Sequence, residues 1–237
     1  MTARNCGWAW TNAQAADQLR SGAILAIKGL GGFHLACDAA NAGAVAELRA
    51  RKRRFRKPFA LMGRDPAVIR RYAELDADAQ RVLESAAAPI LLLTPGTAAG
   101  ALAPDLAPGQ HSLGFMLPYS HLHHLLLADW ERPLVMTSGN AGGEPICHRD
   151  DQVVDRLGSL VDAVLTHDRP IHVPCDDSVV RVMKGASVFI RRARGYAPLP
   201  VQVPISTPRP SPLMRSITKV AGVVLLKPYF SSRTKVS

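Results

Sequence analysis

Apolar residues follow two different spacings along this chain, which predicts helices that alternate with buried strands. Continuous apolar runs at residues 23–27, 89–93 and 134–136 are typical of buried strands. Between such runs, apolar positions three or four apart, such as Val45 and Leu48, indicate helices that bury one face. The pattern predicts an α/β (α+β) fold class, with a twisted mixed β-sheet and surrounding helices.

Capping residues predict where several helices begin. Asn41, Asp65 and Asp76 each precede a helical pattern, and Pro66 suits a first helical turn. The helix after Asn41 is expected to run into a basic stretch until Pro58 stops it. Strands are predicted at residues 23–27, 33–37, 59–62, 89–93, 113–117, 134–136, 161–166, 179–183 and 187–190.

Three connecting segments have recognisable compositions. Residues 94–110 are rich in Gly, Pro and Ala and are expected to form a long loop or lid. Residues 184–186 join two strands as a hairpin turn. Proline alternates with small residues after Pro198, which is typical of an extended linker. We therefore expect one domain over residues 1–206 and a basic, poorly ordered tail over residues 207–237.

Charge is distributed unevenly over the 237 residues, whose formal net charge is +10. The tail holds six Lys or Arg and no Asp or Glu, so residues 1–206 carry only +4. Their basic residues cluster at 49–57 and 191–194, which indicates a site for a polyanion of limited size. A module that binds double-stranded RNA through a basic surface and the tail is an open alternative.

Cysteine spacing and hydropathy exclude other classes of protein. The four cysteines contain no C-x-x-C pair, so we predict no metal site held by the chain and no dense disulfide framework. The N-terminus lacks a secretory apolar core, and no apolar run is long enough for a membrane span. A cytoplasmic location without membrane contact is expected.

Two segments carry residues suited to phosphate recognition. The sequence RKRRFRKP at residues 51–58 concentrates cations between a helix and a strand, where they can converge on a triphosphate or form a solvated basic face. Thr137 to Asn140 follow an apolar strand with two hydroxyls, a glycine and an amide, at the strand end where α/β ligands usually bind. A plain turn is the alternative for the second segment.

Two further segments are open to two interpretations each. Asp176 and Asp177 can lie near a magnesium ion, or they can cap a turn and pair with the arginines of residues 191–194. Glycines at residues 29–32 allow backbone N–H groups to approach a phosphate, or they form a structural tight turn. Taken together, the segments fit the activation of a carboxylate-like acid at the α-phosphate of ATP, which needs cations and amides rather than a nucleophile.

Seven segments, in this order, resemble the YrdC-like domain of the HypF family of hydrogenase-maturation carbamoyltransferases. They are KGLGGFHLACDA, RKRRFRKPFALM, LGFMLPYSHLHHLLL, PLVMTSGNAGGEPI, DAVLTHDRPI, DDSVVR and RRARGYAPLP. The resemblance implies a YrdC-like fold with a concave basic cavity. It also implies ATP-dependent formation of carbamoyl-adenylate from carbamate, on the way to carbamoyl transfer to HypE during [NiFe]-hydrogenase maturation.

The resemblance, together with the chemistry of the segments, predicts the site residues. The expected cofactors are ATP and Mg²⁺, and the expected partners are carbamate or carbamoyl phosphate and a HypE-like acceptor protein. Catalytic roles are predicted for Lys52, Arg54 and Lys57, and cofactor binding is predicted for Thr137, Ser138, Asn140, Ser178 and Arg194.

Departures from the family pattern limit this prediction. No acylphosphatase or zinc-finger region precedes residue 22, and the resemblance fades after Pro200, before the transferase domain. We therefore expect this chain not to release carbamate from carbamoyl phosphate by itself. The alternative within the fold is a threonylcarbamoyl-AMP synthase of tRNA modification, although GGFHLACDA and TSGNAGGEPI favour the HypF family.

Overall fold

Strands from the whole described chain form one mixed sheet in the computed structural model, which describes residues 3–5, 8–10 and 12–200. The strands are β1 Ala3–Asn5, β2 Trp8–Trp10, β3 Leu25–Lys28, β4 Phe33–Asp38, β5 Ala60–Met62, β6 Ile90–Leu93, β7 Leu113–Met116, β8 Leu134–Ser138, β9 Ala163–Leu165, β10 Val179–Met183 and β11 Ala186–Arg191. The helices are α1 Asn12–Arg20, α2 Ala42–Lys52, α3 Pro66–Tyr72, α4 Ala77–Leu83, α5 His121–Leu127 and α6 Val153–Leu157.

The strand order shows that the sheet is mixed, as predicted. It runs β11-β10-β6-β7-β5-β8-β4-β3-β9-β1-β2. The pairs β5/β7, β3/β9 and β6/β10 are parallel. The other adjacent pairs are antiparallel. Because β8 lies near the centre, between β4 and β5, its carboxyl end opens onto the middle of the sheet edge.

Local capping explains why three helices begin where the sequence predicted. The side chain of Asn41 accepts a hydrogen bond from the N–H of Ala44 at the start of α2. Asp65 and Asp76 cap α3 and α4 in the same way, and Pro66 occupies the first turn of α3. Each contact satisfies a backbone donor that the helix itself leaves unpaired.

The end of α2 differs from the prediction. The helix stops at Lys52, where Arg53 takes a left-handed conformation with φ 51° and ψ 41°. Its N–H bonds back to the carbonyls of Arg49 and Ala50. The prediction that Pro58 stops this helix is therefore wrong, and the residues that follow Lys52 form a non-helical loop instead.

Other differences concern short elements. Strands β1 and β2 were not predicted from the sequence. The expected loop of residues 94–110 contains two turns of 3₁₀ helix, Thr97–Ala101 and Pro104–Leu106. The predicted hairpin is confirmed in β10 and β11, where Lys184 and Gly185 both have positive φ, as a tight two-residue turn requires.

One hydrophobic cluster of the core lies between the sheet and helices α1 and α5. Leu19 of α1, Leu126 of α5 and Trp130 pack with strand residues such as Leu25 and Leu134, and all five are buried. Helix α2 instead contacts β4 and the Pro104–Leu106 turn. This arrangement fixes the end of α2 close to the carboxyl end of β8.

The described residues up to Gly195 belong to one compact unit, and Tyr196 begins a second. Within the described part of the chain, no helix combines the length and apolar character needed to cross a membrane. The boundary predicted after residue 206, the basic tail and most of the proline-rich linker lie outside the described residues.

Candidate active site

Two adjoining cavities lie at the carboxyl end of β8. The smaller, here the sheet cavity, has a volume of about 230 Å³ and is lined by strand residues such as Ile90, Leu92, Met136 and Thr137. The larger, here the basic cavity, has a volume of about 670 Å³ and is lined by residues 52–57 and 140–146. The residues that line both cavities are Arg54, Ser138, Ile146, Asp176 and Arg191.

The left-handed turn at Arg53 explains how a run of cations comes to line one wall. An α-helix continued beyond Lys52 would distribute its side chains around the helix axis. Because the helix stops there, residues 53–57 fold into a loop whose members all line the basic cavity. A left-handed conformation at a residue with a side chain costs about 1 kcal/mol or more. The surrounding contacts must offset that cost.

Lys52 lies at the junction between this loop and β8, and its side chain is buried. Its Nζ donates to the carbonyl of Ser138 at 2.5 Å, the carbonyl of Asn140 at 2.7 Å and Oδ1 of Asn140 at 2.7 Å. Burial, and then the charge of Arg54, lower the pKa of Lys52 to about 7. The structure thus uses the amine to hold residues 138–140, and its predicted phosphate contact stays a prediction.

The loop that follows β8 is closed by side-chain hydrogen bonds from Ser138, the last residue of the strand, and from Asn140. Ser138 Oγ donates to Asn140 Oδ1 at 2.7 Å, and Asn140 Nδ2 donates to the carbonyl of Glu144 at 2.5 Å. Thr137 is buried and lines the sheet cavity. The structure therefore brings Thr137, Ser138 and Asn140 together with Lys52, as expected for one site.

Arg54 and Lys57 are two cationic residues that line the basic cavity. Arg54 donates to the carbonyls of Lys57 at 3.3 Å and Pro58 at 2.7 Å, and the residue lines both cavities. Burial, followed by Arg49 and Arg191, lowers the pKa of Arg54. Lys57 lines the basic cavity, and no hydrogen bond to its amine is found within the described residues. Cations brought together in this way favour the binding of an anion.

Ser178 and Arg194 lie behind the cavities rather than in their walls. Ser178 Oγ accepts from the N–H of Ala193 at 2.8 Å and donates to the carbonyl of Arg194 at 2.9 Å. The Arg194 guanidinium donates to the carbonyls of Ala87 and Ala88 at 3.2 and 2.9 Å. Neither residue is among those that line the two cavities. Their predicted contact with a nucleotide stays a prediction, and their contacts in the structure are with the protein.

Asp177 links Arg194 to a buried histidine. Its Oδ1 accepts from Arg194 at 2.8 and 3.0 Å, and its Oδ2 lies 3.0 Å from His34 Nε2. The Arg194 guanidinium also lies 3.8 Å from the ring centre of Tyr119. Burial raises the pKa of Asp177, but His34 and then Arg194 outweigh it and hold that pKa well below its usual range.

Arg191 is a site residue that the sequence prediction missed. Its Nε donates to the carbonyl of Asp177 at 2.7 Å, and its side chain lines both cavities. The basic cluster at residues 191–194 was the available signal, but the sequence does not tell which of its arginines faces the cavity. The structure favours Arg191 over Arg194 for that position.

Residues 29–32, three of which are glycine, pack closely against two neighbouring loops, as the interpretation of a structural turn requires, and an approach of their N–H groups to a phosphate stays a prediction. A Cβ on Gly31 would lie 2.4 Å from the carbonyl oxygen of Cys175, and one on Gly32 would lie 2.4 Å from Ile146 Cδ1. The backbone also bonds to these loops, from Cys175 N–H to Gly31 and from Phe33 N–H to Cys147. The glycines therefore allow close packing of the two loops that carry Ile146 and Asp176 into the cavities.

The two aspartates differ in their availability to a metal ion. Asp177 is committed to Arg194 and His34, whereas Asp176 is exposed and lines both cavities. Among the residues that the structure describes, no group of three or more His, Cys, Asp or Glu side chains is placed to hold a metal ion. A cation here would therefore need most of its ligands from water and from a bound phosphate.

Comparison with known proteins shows the family to which the fold belongs. The family model described as Sua5_yciO_yrdC, telomere recombination, matches residues 17–193. Carbamoyltransferase HypF of Rhodobacter capsulatus is 52% identical over 190 residues, which cover 80% of this chain and 25% of that protein. The chain thus spans about a quarter of the length of this relative.

Two further comparisons concern a structure and a shorter relative. A crystal structure of full-length HypF in its phosphate- and nucleotide-bound form has a TM-score of 0.76 and 43% identity, covering 80% of this chain and 30% of that one. Threonylcarbamoyl-AMP synthase of Vibrio cholerae serotype O1 is 32% identical over 159 residues, covering 64% of this chain and 82% of that protein. These similarities confirm the predicted resemblance to the YrdC-like region of HypF and the predicted fold.

Proposed function

From the premise that the chain belongs to the Sua5/YciO/YrdC family, we propose that its cavities bind ATP and carbamate and form carbamoyl-AMP. The observation that carries this proposal is the convergence of Arg54, Lys57 and Arg191 on a cavity that adjoins a smaller one. The nucleotide bound to the related full-length HypF supports the same assignment. A hydrolase or transferase nucleophile is not needed for this reaction.

The proposed step is an in-line displacement at the α-phosphorus of ATP. A carbamate oxygen forms a bond to the α-phosphorus, the bond from that phosphorus to the oxygen bridging the β-phosphate breaks, and pyrophosphate leaves. Arg54, Lys57 and Arg191 neutralise the charge on the phosphates, which is the main requirement of such a reaction. The sheet cavity holds the acid beside Thr137 and Ser138, in line with the phosphorus.

Magnesium belongs to this proposal as an ion that arrives with the nucleotide. Asp176 lines both cavities and can bind it or its water ligands, whereas Asp177 is already paired with Arg194. Mg²⁺ commonly binds through one or two carboxylates together with substrate phosphates. When bound, it neutralises part of the triphosphate charge.

The proposal extends to the larger reaction in which HypF relatives take part. We infer that carbamoyl-AMP formed here serves carbamoyl transfer from carbamoyl phosphate to a HypE-like acceptor during [NiFe]-hydrogenase maturation, in the cytoplasm. The support is the match to proteins named carbamoyltransferase HypF, of which this chain spans about a quarter.

Pyrophosphate exchange tests the proposed reaction directly. With labelled pyrophosphate and ATP, we expect label to enter ATP when bicarbonate and ammonia supply carbamate. Threonine with bicarbonate forms the second arm, because the Vibrio cholerae synthase matches over most of its length. Exchange in the carbamate arm supports the proposal, exchange only with threonine supports a threonylcarbamoyl-AMP synthase, and exchange in neither arm contradicts both.

A proton-uptake experiment tests whether the bound anion lies close to Lys52. Since the pKa of Lys52 is about 7, most of its amine is neutral at pH 8 and can then donate only two of the three hydrogen bonds that the charged amine makes to Ser138 and Asn140. A nearby polyanion favours the charged form and raises the pKa, so binding should take up a proton. We therefore expect ATP affinity to fall by up to about tenfold per pH unit above pH 7.

The measurement is calorimetry at pH 8 in buffers of different ionisation enthalpy, which counts protons taken up on binding. Lys52→Gln is the matched variant, and in it the proton uptake and the extra pH dependence should disappear. Titration of ATP itself is common to both proteins and cancels in the comparison. Equal uptake in the two proteins would contradict a position of the phosphates beside Lys52.

The alternative to an enzyme is a module that binds double-stranded RNA. The tail on which it was based lies outside the described residues, and both cavities are too small for a duplex. A gel-shift assay with double-stranded RNA at two salt concentrations, run on the full chain and on a chain cut at residue 206, would assign any RNA affinity. Affinity that persists after the cut and competes with ATP would favour RNA as the ligand of the cavities.

A further inference from the structure

Arg49 is a buried cation on α2 that binds only backbone carbonyls. Its Nε donates to Asp105 at 2.5 Å, Nη1 donates to Arg54 at 2.5 Å and to Lys57 at 3.2 Å, and Nη2 donates to Leu106 at 3.1 Å. Its residue exposure is 7%. The guanidinium thus donates to four carbonyls, two in the loop after α2 and two in the Pro104–Leu106 turn.

The surroundings of Arg49 explain why arginine suits this position. The guanidinium lies over the ring of Phe59, 4.4 Å from its centre, so one flat face is covered by an apolar ring. Arginine has five N–H donors, enough to bind the carbonyls of Asp105, Leu106, Arg54 and Lys57 at once. The Leu106 carbonyl also accepts from the N–H of Phe59 at 2.8 Å, which ties the loop to the start of β5.

The charge at Arg49 is unfavourable for its cationic neighbours. No carboxylate is hydrogen-bonded to the Arg49 guanidinium among the described residues, and burial lowers its pKa. Arg49 also lowers the pKa of Arg54. A cation buried beside other cations destabilises the fold unless other contacts compensate. The hydrogen bonds of Arg49 compensate by fixing the orientation of the loop that carries Arg54 and Lys57.

Orientation of the carbonyls matters for an anion site. In a loop that faces a phosphate, carbonyl oxygens directed at the ligand would repel it. Arg49 draws the carbonyls of Arg54 and Lys57 towards α2, while the same two residues line the basic cavity. One buried group thereby holds both carbonyls on the side of α2, where the Lys57 carbonyl also accepts from Arg54 Nε at 3.3 Å.

We propose that Arg49 is a positioning residue for ATP binding, acting by holding the carbonyls of Arg54 and Lys57 away from the basic cavity. This inference rests on the proposed function, because it assumes that the phosphates bind beside those two residues. Arg49 does not touch the nucleotide. Lysine in its place would keep the charge but has only three N–H donors for the four carbonyls.

The test compares Arg49→Lys and Arg49→Ala with the unaltered chain in equilibrium binding of ATP. We expect the affinity to fall by about tenfold to a hundredfold in both variants, because small displacements of binding groups have large effects. Methylguanidinium should restore much of the affinity of Arg49→Ala and should not affect Arg49→Lys. Ammonium at the same concentration should restore none.

A remote core variant separates positioning from loss of stability. Leu19→Ala removes a fully buried side chain of α1 and should lower the midpoint of thermal unfolding while leaving ATP affinity at the wild-type value. Wild-type affinity in Arg49→Lys, or a loss in Arg49→Ala that methylguanidinium does not reverse, would overturn the inference alone. Failure of the unaltered chain to bind ATP would overturn the proposed function and this inference together.

Discussion

Replacement of Asp177 by alanine is expected to lower the free energy of unfolding by about 3–5 kcal/mol, the usual cost of removing one partner from a buried ion pair. The side chains of Asp177 and Arg194 are 10% and 13% exposed, so the guanidinium left behind is poorly hydrated. The change also removes the partner of His34, 3.0 Å away. Urea unfolding followed by circular dichroism measures the loss.

The neighbouring residue provides a matched control for this prediction. Asp176→Ala removes the same chemical group one position earlier, where the side chain is exposed, and should change stability by less than about 0.5 kcal/mol. Arg194→Met in the Asp177→Ala protein should recover part of the loss, because it removes the unpaired charge. Equal effects of Asp176→Ala and Asp177→Ala would contradict the described network.

Replacement of Arg54 or Lys57 by alanine is expected to have the largest effect on ligand binding. Each variant removes a cation from the wall of the basic cavity. We expect each to weaken ATP binding by about 1.5–3 kcal/mol, the range for a hydrogen bond to a charged group. For Lys57 the structural cost should be small, since no hydrogen bond to its amine is found within the described residues. Calorimetric titration with ATP and magnesium measures the change.

Arg71→Ala is the control for general loss of positive charge. Arg71 is about half exposed and lies 3.9 Å from Glu131 in a surface ion pair, so its removal should leave both stability and ATP affinity nearly unchanged. If the cavity variants and Arg71→Ala reduce affinity equally, the attraction is a property of the net charge and not of this cavity.

The features of the fold that depend on nearby residues were predictable from the sequence. Asn41, Asp65 and Asp76 bond to backbone groups three residues away, so their roles as helix caps can be inferred from local sequence. The end of α2 was not predictable in this way. The loop after Arg53 is held by Arg49, which bonds to carbonyls as far along the chain as Leu106.

The candidate site was likewise predictable only where it depends on residues that are close in the sequence. Ser138 and Asn140 lie at the end of a buried strand and beside Lys52, because β8 ends close to the end of α2. Ser178 and Arg194 are not among the residues that line the two cavities. The partners of Arg194 include the carbonyls of Ala87 and Ala88, more than a hundred positions away, so nothing in the local motif indicates them.

A crystal structure of the protein with ATP, magnesium and bicarbonate tests the central claim most directly. The phosphates are predicted to lie in the basic cavity, within hydrogen-bond distance of Arg54 and of Lys57 Nζ, with the α-phosphate turned towards the sheet cavity. A nucleotide bound elsewhere, for example in the separate cavity beside Leu30 and Val173, would contradict the account.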